Sequence, residues 1–371
     1  MIYLVYISGG IYIIVIASFL YGWKRLNAFS SLQSNFRTLV SIVIPMRNEE
    51  DSIVKLLNEL SQQNYPIDLY EIIVVDDHSR DKSFERASKF QNEHVKTLSL
   101  PDSLTGKKAA LRHGIDATNG HLILTTDADC TVGKNWIKCF ATYFEVFNPV
   151  MMLGPVMAHP LHKNNTFEQM QMLELFSLLG ATAGSASIGM PIMCNGANLA
   201  FAKNVYPKIQ HLYNNEKVHS GDDIFTLLTL KKIFPGRIHF IKSLEASVYT
   251  LLPDNLNAFF NQRKRWAAKT KYYRDVSIIA TAAIVFGINL LLIINLVIGI
   301  IKLDLSDFLI LWCLKSVVDF PLLYTVTSFY GEKRLMRWFP VVQSFYFLYV
   351  CLTVVGTFIS PTKWKERLIK Q

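Results

Sequence analysis

The chain has 371 residues, of which 51% are hydrophobic and only 18% are charged, and its formal net charge is +9. This composition excludes a disordered protein, which would be rich in charge and poor in aromatic residues. Five cysteines without a CxxC spacing exclude a small disulfide scaffold and give no sign of a zinc site. The basic residues form no recognisable nucleic-acid module, so we expect a membrane protein that faces anionic lipid and has no nucleic-acid partner.

Four segments are long and apolar enough to cross a bilayer, which takes about 20 residues of helix. They cover residues 1–23, 276–301, 308–330 and 338–360. In the first segment the basic residues follow the apolar run, whereas a cleaved signal peptide carries them in front of it. We therefore predict an integral membrane protein with about four transmembrane helices, the first of which is retained.

The third of these segments carries two charged residues, Lys315 and Asp319. They are four residues apart, so a helix places them one turn from each other and lets them neutralise each other. Charged residues inside a membrane often mark a functional site. A purely structural pair within the helix bundle is the alternative interpretation.

A polar stretch of about 30–275 separates the first segment from the second, and basic residues flank it on both sides. These residues are Lys24, Arg25, Arg263, Lys264, Arg265, Lys269, Lys271 and Arg274. The positive-inside rule then places the stretch in the cytoplasm. The basic C-terminal tail would fall outside, so either the tail is an exception to the rule or one C-terminal segment does not span.

The first part of the polar stretch alternates short buried strands with amphipathic helices. This alternation favours an α/β fold with a parallel sheet. Such sheets bind ligands beyond the carboxyl ends of their strands. The predicted strands cover 40–44, 71–75, 95–98 and 121–125, and the predicted helices begin near residues 53, 81 and 105.

Polar side chains follow three of these predicted strands. They are Asn48 and Glu49, Asp76 and Asp77, and Asp127 and Asp129. The sequence has neither a GxGxxG nor a P-loop fingerprint, so acidic strand ends instead indicate a nucleotide held through a divalent metal. A lone Asp-x-Asp is expected by chance, and only its place after a strand is informative. The spacing Gln262-x-x-Arg265-Trp266 is much rarer, and it directly precedes a membrane segment.

The motifs, in chain order, resemble those of family 2 glycosyltransferases. They are closest to the membrane-embedded branch that contains cellulose, chitin, hyaluronan and poly-N-acetylglucosamine synthases. The resemblance covers about residues 38–270 and is carried by Ser41 to Pro45, Asn48-Glu49-Glu50, Val74 to Asp77, Gly106-Lys107, Asp127-Ala128-Asp129, Asn195 to Asn198, Gly221-Asp222-Asp223 and Gln262-x-x-Arg265-Trp266.

This resemblance implies a Rossmann-like GT-A fold, a nucleotide-sugar donor that we expect to be a UDP-sugar, Mg²⁺ or Mn²⁺ as cofactor, and inversion at the anomeric carbon. We predict a GT-A domain over 38–255, an amphipathic interfacial segment over 256–275 and a C-terminal membrane region over 276–371. The resemblance also assigns roles. Donor binding falls to Pro45, Asn48, Glu49, Asp76, Asp77, Lys107 and Asp127, and metal binding to Asp129 with Asp127.

Inverting transfer needs a base for the acceptor hydroxyl, and Asp223 matches the family's base, with Asp222 beside it. Gln262, Arg265 and Trp266 match the residues that meet the acceptor and the diphosphate. An arginine can hold a diphosphate with a bidentate fork, and a tryptophan offers a flat face to a sugar ring. An interfacial membrane anchor is the other interpretation of these three residues.

The sequence therefore predicts a hexosyltransferase-type enzyme in the cell membrane, with its catalytic domain in the cytoplasm. It moves a sugar to a membrane-associated acceptor, either a lipid-linked one or a growing polysaccharide. The alternative is a membrane scaffold or sensor with a catalytically degenerate transferase domain, against which the acidic motifs and Arg265 argue. The sugar itself and the processivity of transfer do not follow from the sequence.

Overall fold

The computed structural model describes residues 2–31, 37–160, 165–213, 221–359, 362–364 and 367–369. The chain divides into two compact units. We call the first the sheet unit, which comprises Leu26–His159 and Met193–Leu251. We call the second the helical unit, which comprises Met1–Arg25, Pro160–Ile192 and Leu252–Gln371.

The described helices are α1 (Ile2–Arg25), α2 (Ile53–Ser61), α3 (Ser83–Ser88), α4 (Lys107–Asp116), α5 (Trp136–Phe147), α6 (Thr166–Ser187), α7 (Tyr206–Tyr213), α8 (Asp222–Ile233), α9 (Leu256–Ala268), α10 (Val276–Lys302), α11 (Ser306–Phe329) and α12 (Phe339–Ile359). The described strands are β1 (Val40–Met46), β2 (Tyr70–Asp76), β3 (Val95–Ser99), β4 (Leu122–Thr125), β5 (Thr131–Val132), β6 (Met151–Leu153), β7 (Val156–Ala158), β8 (Leu199–Ala202), β9 (Ile238–Phe240), β10 (Val248–Thr250), β11 (Thr362–Trp364) and β12 (Arg367–Ile369).

The main sheet of the sheet unit has, among the described residues, the strand order β3-β2-β1-β4-β8-β6-β9. Strands β1 to β4 run parallel, as predicted, whereas β8 runs antiparallel to β4. Thr125 at the end of β4 pairs with Leu199 at the start of β8. The ends of β1, β2 and β4 and the loop before β8 therefore meet at one edge, which we call the carboxyl edge.

The core of the sheet unit forms because β1 and β2 are buried on both faces. Ile42, Val43 and Ile73 are fully buried, which explains why these strands read as continuous apolar runs instead of alternating ones. Helix α4 approaches the sheet closely at Gly114, where a Cβ atom would lie 2.5 Å from a methyl group of Val43. The packing of α4 fixes its first residue, Lys107, relative to the carboxyl edge.

The helical unit contains the predicted membrane helices. Among the described residues, four spans have the length and composition needed to cross a membrane, which confirms the prediction. Helix α1 packs against α6 and α11, and α12 packs against α9 and α10. Helices α1 and α6 touch through their backbones, because a Cβ on Gly22 would lie 2.1 Å from the carbonyl oxygen of Gly184. The spans are Val5–Arg25, Val276–Lys302, Ser306–Phe329 and Lys333–Ile359.

The compact units group the chain differently from the predicted domain boundaries, which stay a prediction. Helix α6 lies inside the predicted domain 38–255, yet it packs against α1 and α11 in the helical unit. Small residues along α6, such as Gly180 and Gly184, permit this close approach. The end of the predicted membrane region is described beyond Ile359 only at 362–364 and 367–369, where β11 and β12 pair.

Candidate active site

The two aspartates that follow β4 lie in a tight turn. The N–H group of Cys130 donates a hydrogen bond of 3.1 Å to the carbonyl oxygen of Asp127. Ala128 and Cys130 are buried, whereas Asp127 and Asp129 are partly exposed. The turn therefore leaves both carboxylates partly exposed at the carboxyl edge.

Lys107 joins this turn to two further acidic residues. Its Nζ atom lies 2.5 Å from Oδ1 of Asp127. Burial lowers the pKa of Lys107, but the Coulombic attraction of Asp127, Asp222 and Asp223 outweighs it and raises the pKa above its ordinary value. Since Coulombic attraction falls with distance, the carboxylate of Asp127 and those at the start of α8 lie near one ammonium group. Gly106, with φ of 96°, provides the left-handed backbone from which α4 begins.

The carboxylate of Asp223 is held in place at the first turn of α8. Its Oδ2 accepts a hydrogen bond of 3.2 Å from the N–H of Gly196, and its Oδ1 accepts one of 2.8 Å from the N–H of Ile224. Gly196 is tied to the sheet, because the hydroxyl of Thr125 donates to its carbonyl oxygen at 2.9 Å. The loop before β8 thus orients Asp223, the predicted base, against the end of β4.

Asp222 and Tyr213 lie behind this carboxylate. Asp222 is 7% exposed, and Tyr213 is buried beside Thr226. Burial raises the pKa of the Tyr213 hydroxyl, and the charges of Asp222 and Asp223 raise it further. The phenol therefore stays protonated at neutral pH, next to the predicted base.

The two ends of the Asn195 to Asn198 motif lie in different surroundings, one at the site and the other in the core. The side chain of Asn198 donates to the carbonyl oxygens of Pro155 and Ala246, both at 2.8 Å, and accepts from the indole of Trp136. It is 1% exposed and fully occupied in the core. Only the Gly196 end of the motif reaches the site, a role that sequence reasoning missed although the motif itself was recognised.

The end of β2 carries the two aspartates expected at the nucleotide. The N–H of Asp77 donates to the carbonyl oxygen of Met46 at 2.8 Å, and Arg47 donates to the carbonyl oxygen of Asp77 at 2.6 Å. Oδ2 of Asp76 accepts from the N–H of Ser79. Its Oδ1 is buried and has no hydrogen-bond partner within the described residues. A buried hydrogen-bond acceptor of this kind is suited to an N–H or O–H group of a ligand.

Asn48 and Glu49 connect the loop after β1 to the loop after β2. Asn48 has φ of 50°, its N–H donates to the hydroxyl of Ser79, and its side chain accepts from the N–H of Arg80. The N–H of Glu49 donates to the hydroxyl of Ser83 at 2.7 Å. These contacts build the loops, and the predicted contribution of both residues to donor binding stays a prediction.

Pro45 lies within β1, where it pairs in register with Val75. The last pair between β1 and β4 joins Val43 to Thr125. Pro45 comes two residues after Val43 in β1, so it lies past the end of β4. The position of Pro45 near the carboxyl edge is compatible with its predicted place beside the donor, which stays a prediction.

Comparison with known proteins finds a family model that matches part of the chain. Residues 41–205 match the model of glycosyl transferase family 2. This match includes Lys107, Asp127, Asp129 and Gly196 of the site. It supports the predicted family and the predicted class of enzyme, while the membrane-embedded synthase branch remains a proposal.

Two curated relatives are similar to part of this chain. Glycosyltransferase AglE of Haloferax volcanii is 34% identical over 100 residues, which are 27% of this chain and 33% of the relative. An N-acetylglucosaminyltransferase of Azorhizobium caulinodans is 25% identical over 250 residues, which are 64% of this chain and 61% of the relative. The matches thus span from a third to about three fifths of the length of these relatives.

A solved structure extends the likeness to nearly the whole chain. A mannosyltransferase from Pyrobaculum calidifontis, solved with GDP-Man and Mn²⁺, is 16% identical, with a TM-score of 0.54. The similarity covers 94% of this chain and 99% of that one. The predicted GT-A fold with additional membrane helices is therefore confirmed.

The carboxyl edge offers few protein ligands for a metal. Within the described residues, no group of three or more His, Cys, Asp and Glu side chains could hold an ion. The turn after β4 supplies the carboxylates of Asp127 and Asp129, and Asp127 already contacts Lys107. Mg²⁺ and related hard cations take one or two carboxylates and complete their shell with water and phosphate oxygens. The site fits such a cation, with Asp127 and Asp129 as the carboxylates that would hold it.

The predicted Gln262, Arg265 and Trp266 lie on α9, in the helical unit, and all three are partly buried. Their neighbour Arg263 is buried together with Phe259, and sequence reasoning gave Arg263 no role in the site. Its partner is Glu174 on α6. The sequence signal for this pair is that Glu174 lies within an apolar stretch, where a buried charge requires a partner.

Proposed function

We propose that the protein is an inverting glycosyltransferase that moves a sugar from a nucleotide-sugar to a membrane-associated acceptor. One observation carries the proposal. At the carboxyl edge, Asp223 is oriented by Gly196 and faces the same ammonium, Lys107, as Asp127 does. The predicted base, the ammonium group of Lys107 and the acidic turn after β4 thus lie together at the edge where an α/β sheet binds its ligands.

Asp223 acts as the general base in this proposal. It accepts the proton of the acceptor hydroxyl while that oxygen attacks the anomeric carbon, the bond to the diphosphate breaks, and the configuration inverts. Two N–H groups hold its carboxylate in one orientation. Asp222 adds negative charge beside the base.

The carboxylates of Asp127 and Asp129 would hold a divalent cation. Such a cation, when bound, acts as a Lewis acid that stabilises the departing diphosphate. Lys107 then offsets part of the acidic charge and contacts the donor side of the turn. The solved mannosyltransferase with Mn²⁺ supports the choice of cofactor without distinguishing Mn²⁺ from Mg²⁺.

We propose a UDP-sugar as donor, with UDP-N-acetylglucosamine as the first to test. The support is the name of the relatives from Azorhizobium caulinodans and Rhizobium meliloti, both N-acetylglucosaminyltransferases. The mannosyltransferase solved with GDP-Man makes GDP-mannose the second donor to test. The unpartnered Oδ1 of Asp76 is the acceptor that we assign to the nucleoside.

A membrane-associated acceptor is supported by the surroundings of α9 within the helical unit. This helix packs against α12, one of the candidate spans, and the side chain of Lys264 lies over Gly356. Trp266 precedes the start of α10 at Val276 by only ten residues. The predicted acceptor residues therefore lie on a helix that is bound to the membrane part of the chain, which suits a lipid-linked acceptor or a polymer that enters the membrane.

The donor and the acceptor can be tested together. Purified protein in detergent is incubated with UDP-N-acetylglucosamine or GDP-mannose, Mn²⁺ and a lipid extract of native membranes, and the products are identified by mass spectrometry. Sugar in the organic phase supports one-step glycolipid synthesis, and a long insoluble product supports the synthase branch. Absence of both transfer and nucleotide binding would favour the degenerate scaffold.

The proposed orientation, with the sheet unit in the cytoplasm, has its own test. Ser99 is exposed at the end of β3, and we expect Ser99→Cys to resist a membrane-impermeant thiol reagent in intact cells and to react after lysis. The unmodified chain serves as control, since Cys313 is exposed. Labelling of the added cysteine in intact cells would reverse the topology and separate the site from cytosolic donors.

A further inference from the structure

Helix α9 is anchored by a buried ion pair between Arg263 and Glu174. Nε of Arg263 lies 3.0 Å from each carboxylate oxygen of Glu174, and Nη2 contacts Oε2 as well. The two side chains are only 3% and 8% exposed. The hydroxyl of Tyr349 donates to Oε1 of Glu174 at 2.7 Å. Three helices, α6, α9 and α12, therefore meet at a single carboxylate.

The same guanidinium also contacts two of the three predicted motif residues. Nη1 of Arg263 donates to the side-chain oxygen of Gln262. The guanidinium lies 4.4 Å from the ring centre of Trp266 and 4.6 Å from that of Phe259, distances at which a cation attracts an aromatic face. One face of Trp266 is thus occupied by Arg263, so a sugar ring would stack on its other face.

The energetics of the Arg263–Glu174 pair indicate that it orients neighbouring side chains more than it stabilises the fold. Burial lowers the pKa of Arg263, but the attraction of Glu174 outweighs burial and raises it above the ordinary value, so the guanidinium stays charged. Desolvation consumes much of the attraction in a buried ion pair, and hydrophobic residues of similar volume often stabilise a fold equally well. A hydrophobic side chain has no planar guanidinium. This group holds its N–H donors in fixed directions and can therefore orient several neighbouring side chains at once.

We propose that Arg263 is a positioning residue that sets the orientation of Gln262 and Trp266, and that Glu174 and Tyr349 fix Arg263 for this purpose. This inference rests on the proposed transferase activity, in which Gln262 and Trp266 meet the acceptor. It assigns a role to three residues that the Gln-x-x-Arg-Trp motif does not specify, since Arg263 occupies one of its variable positions.

Two conservative variants test the proposal. Arg263→Lys keeps the charge opposite Glu174 but loses the fork, and Tyr349→Phe removes only one hydroxyl. Tyr346→Phe is the matched control on the same helix, since its ring packs against Tyr349 and Lys315. The assay measures, with UDP-N-acetylglucosamine or GDP-mannose, both transfer of labelled sugar to native membranes and hydrolysis of the donor by water.

We expect Arg263→Lys to lower transfer about tenfold or more, because small misplacements of groups around a reacting centre have effects of that size. Tyr349→Phe also lowers transfer, but by a smaller factor than Arg263→Lys. Hydrolysis of the donor stays near the wild-type rate in both variants, so the ratio of transfer to hydrolysis falls. Tyr346→Phe keeps the wild-type ratio.

Equal losses of transfer and hydrolysis, or an unchanged ratio in Arg263→Lys, would overturn the positioning role. Wild-type protein without transfer or hydrolysis would instead refute the proposed function, and a second readout then decides the positioning. The emission of Trp266, isolated as the difference from Trp266→Phe, must change when Arg263→Lys removes the stacked guanidinium. An unchanged difference spectrum would show that Arg263 does not hold this ring.

Discussion

Two Lys–Asp pairs with almost equal distances between nitrogen and oxygen lie in very different parts of this protein. At the carboxyl edge, Lys107 lies 2.5 Å from Asp127, and the two side chains are 27% and 33% exposed. In the membrane helices, Lys315 lies 2.6 Å from Asp319, and the exposures are 2% and 11%. Contact distance alone therefore does not distinguish a ligand site from a structural pair.

The surroundings of the two pairs distinguish them. Asp319 also accepts from Tyr12 of α1 at 2.8 Å and from Gln343 of α12 at 3.1 Å, so the pair joins three helices. The pair at the carboxyl edge is open to solvent and is accompanied by Asp129 and by the residues at the start of α8. A satisfied and buried pair holds helices together, whereas a partly exposed pair can exchange partners with a ligand.

Removal of the metal should give the largest effect and should act only at the carboxyl edge. We expect chelation by EDTA, or Asp129→Asn, to reduce transfer by about a hundredfold or more, since a cation supplies several kcal/mol of stabilisation to a leaving diphosphate. Transfer assays before and after readdition of Mn²⁺ measure this effect. Asp319→Asn is the matched control and should keep the same dependence on Mn²⁺. Undiminished turnover after exhaustive chelation would contradict the metal site.

Breaking the membrane pair should affect stability and leave catalysis intact. Lys315→Met leaves Asp319 as a buried charge without its cation, which in buried pairs costs about 3–5 kcal/mol. Thermal unfolding in detergent should show the loss, and kcat per folded molecule should not change. The double variant Lys315→Met with Asp319→Leu should recover most of the stability. A kcat that falls in the single variant would give the membrane pair a functional role.

Breaking the pair at the carboxyl edge should show the opposite behaviour. We expect Lys107→Met to raise the KM for the donor by about tenfold, the value of one charge-assisted hydrogen bond. The melting temperature should change little, because a partly exposed pair contributes about 1 kcal/mol or less. Donor titrations and thermal scans of the same preparation measure both quantities. A large fall in melting temperature with unchanged KM would reduce this pair to a structural contact.

The parts of the protein that the sequence predicts well are those with local patterns. The apolar runs located the four candidate spans, and the spacing of Lys315 and Asp319 predicted their contact correctly. Alternation of buried strands and helices, together with polar residues after three of the strands, predicted the carboxyl edge. These features depend on helix periodicity and strand burial, which neighbouring residues determine.

Contacts between distant residues could not be predicted in the same way. Arg263 and Glu174 are 89 positions apart, and nothing in either local pattern connects them. Gly196 donates to Asp223 through its backbone, which leaves no side-chain signal. The turn that holds Asp127 and Asp129 begins directly after the short strand β4 ends at Thr125, and the spacing Asp-x-Asp does not indicate this turn. In each case tertiary packing decides what the local sequence leaves open.

The most direct test of the central claim is to compare donor binding with transfer in Asp223→Asn. Asparagine keeps the shape of the side chain but cannot take the proton of the acceptor hydroxyl. We expect the variant to bind the nucleotide-sugar with wild-type affinity in calorimetry and to lose transfer by about 10² to 10⁴-fold, the usual contribution of a general base. If Asp223→Asn keeps a near-normal kcat, the base lies elsewhere and the proposed role of the carboxyl edge is wrong.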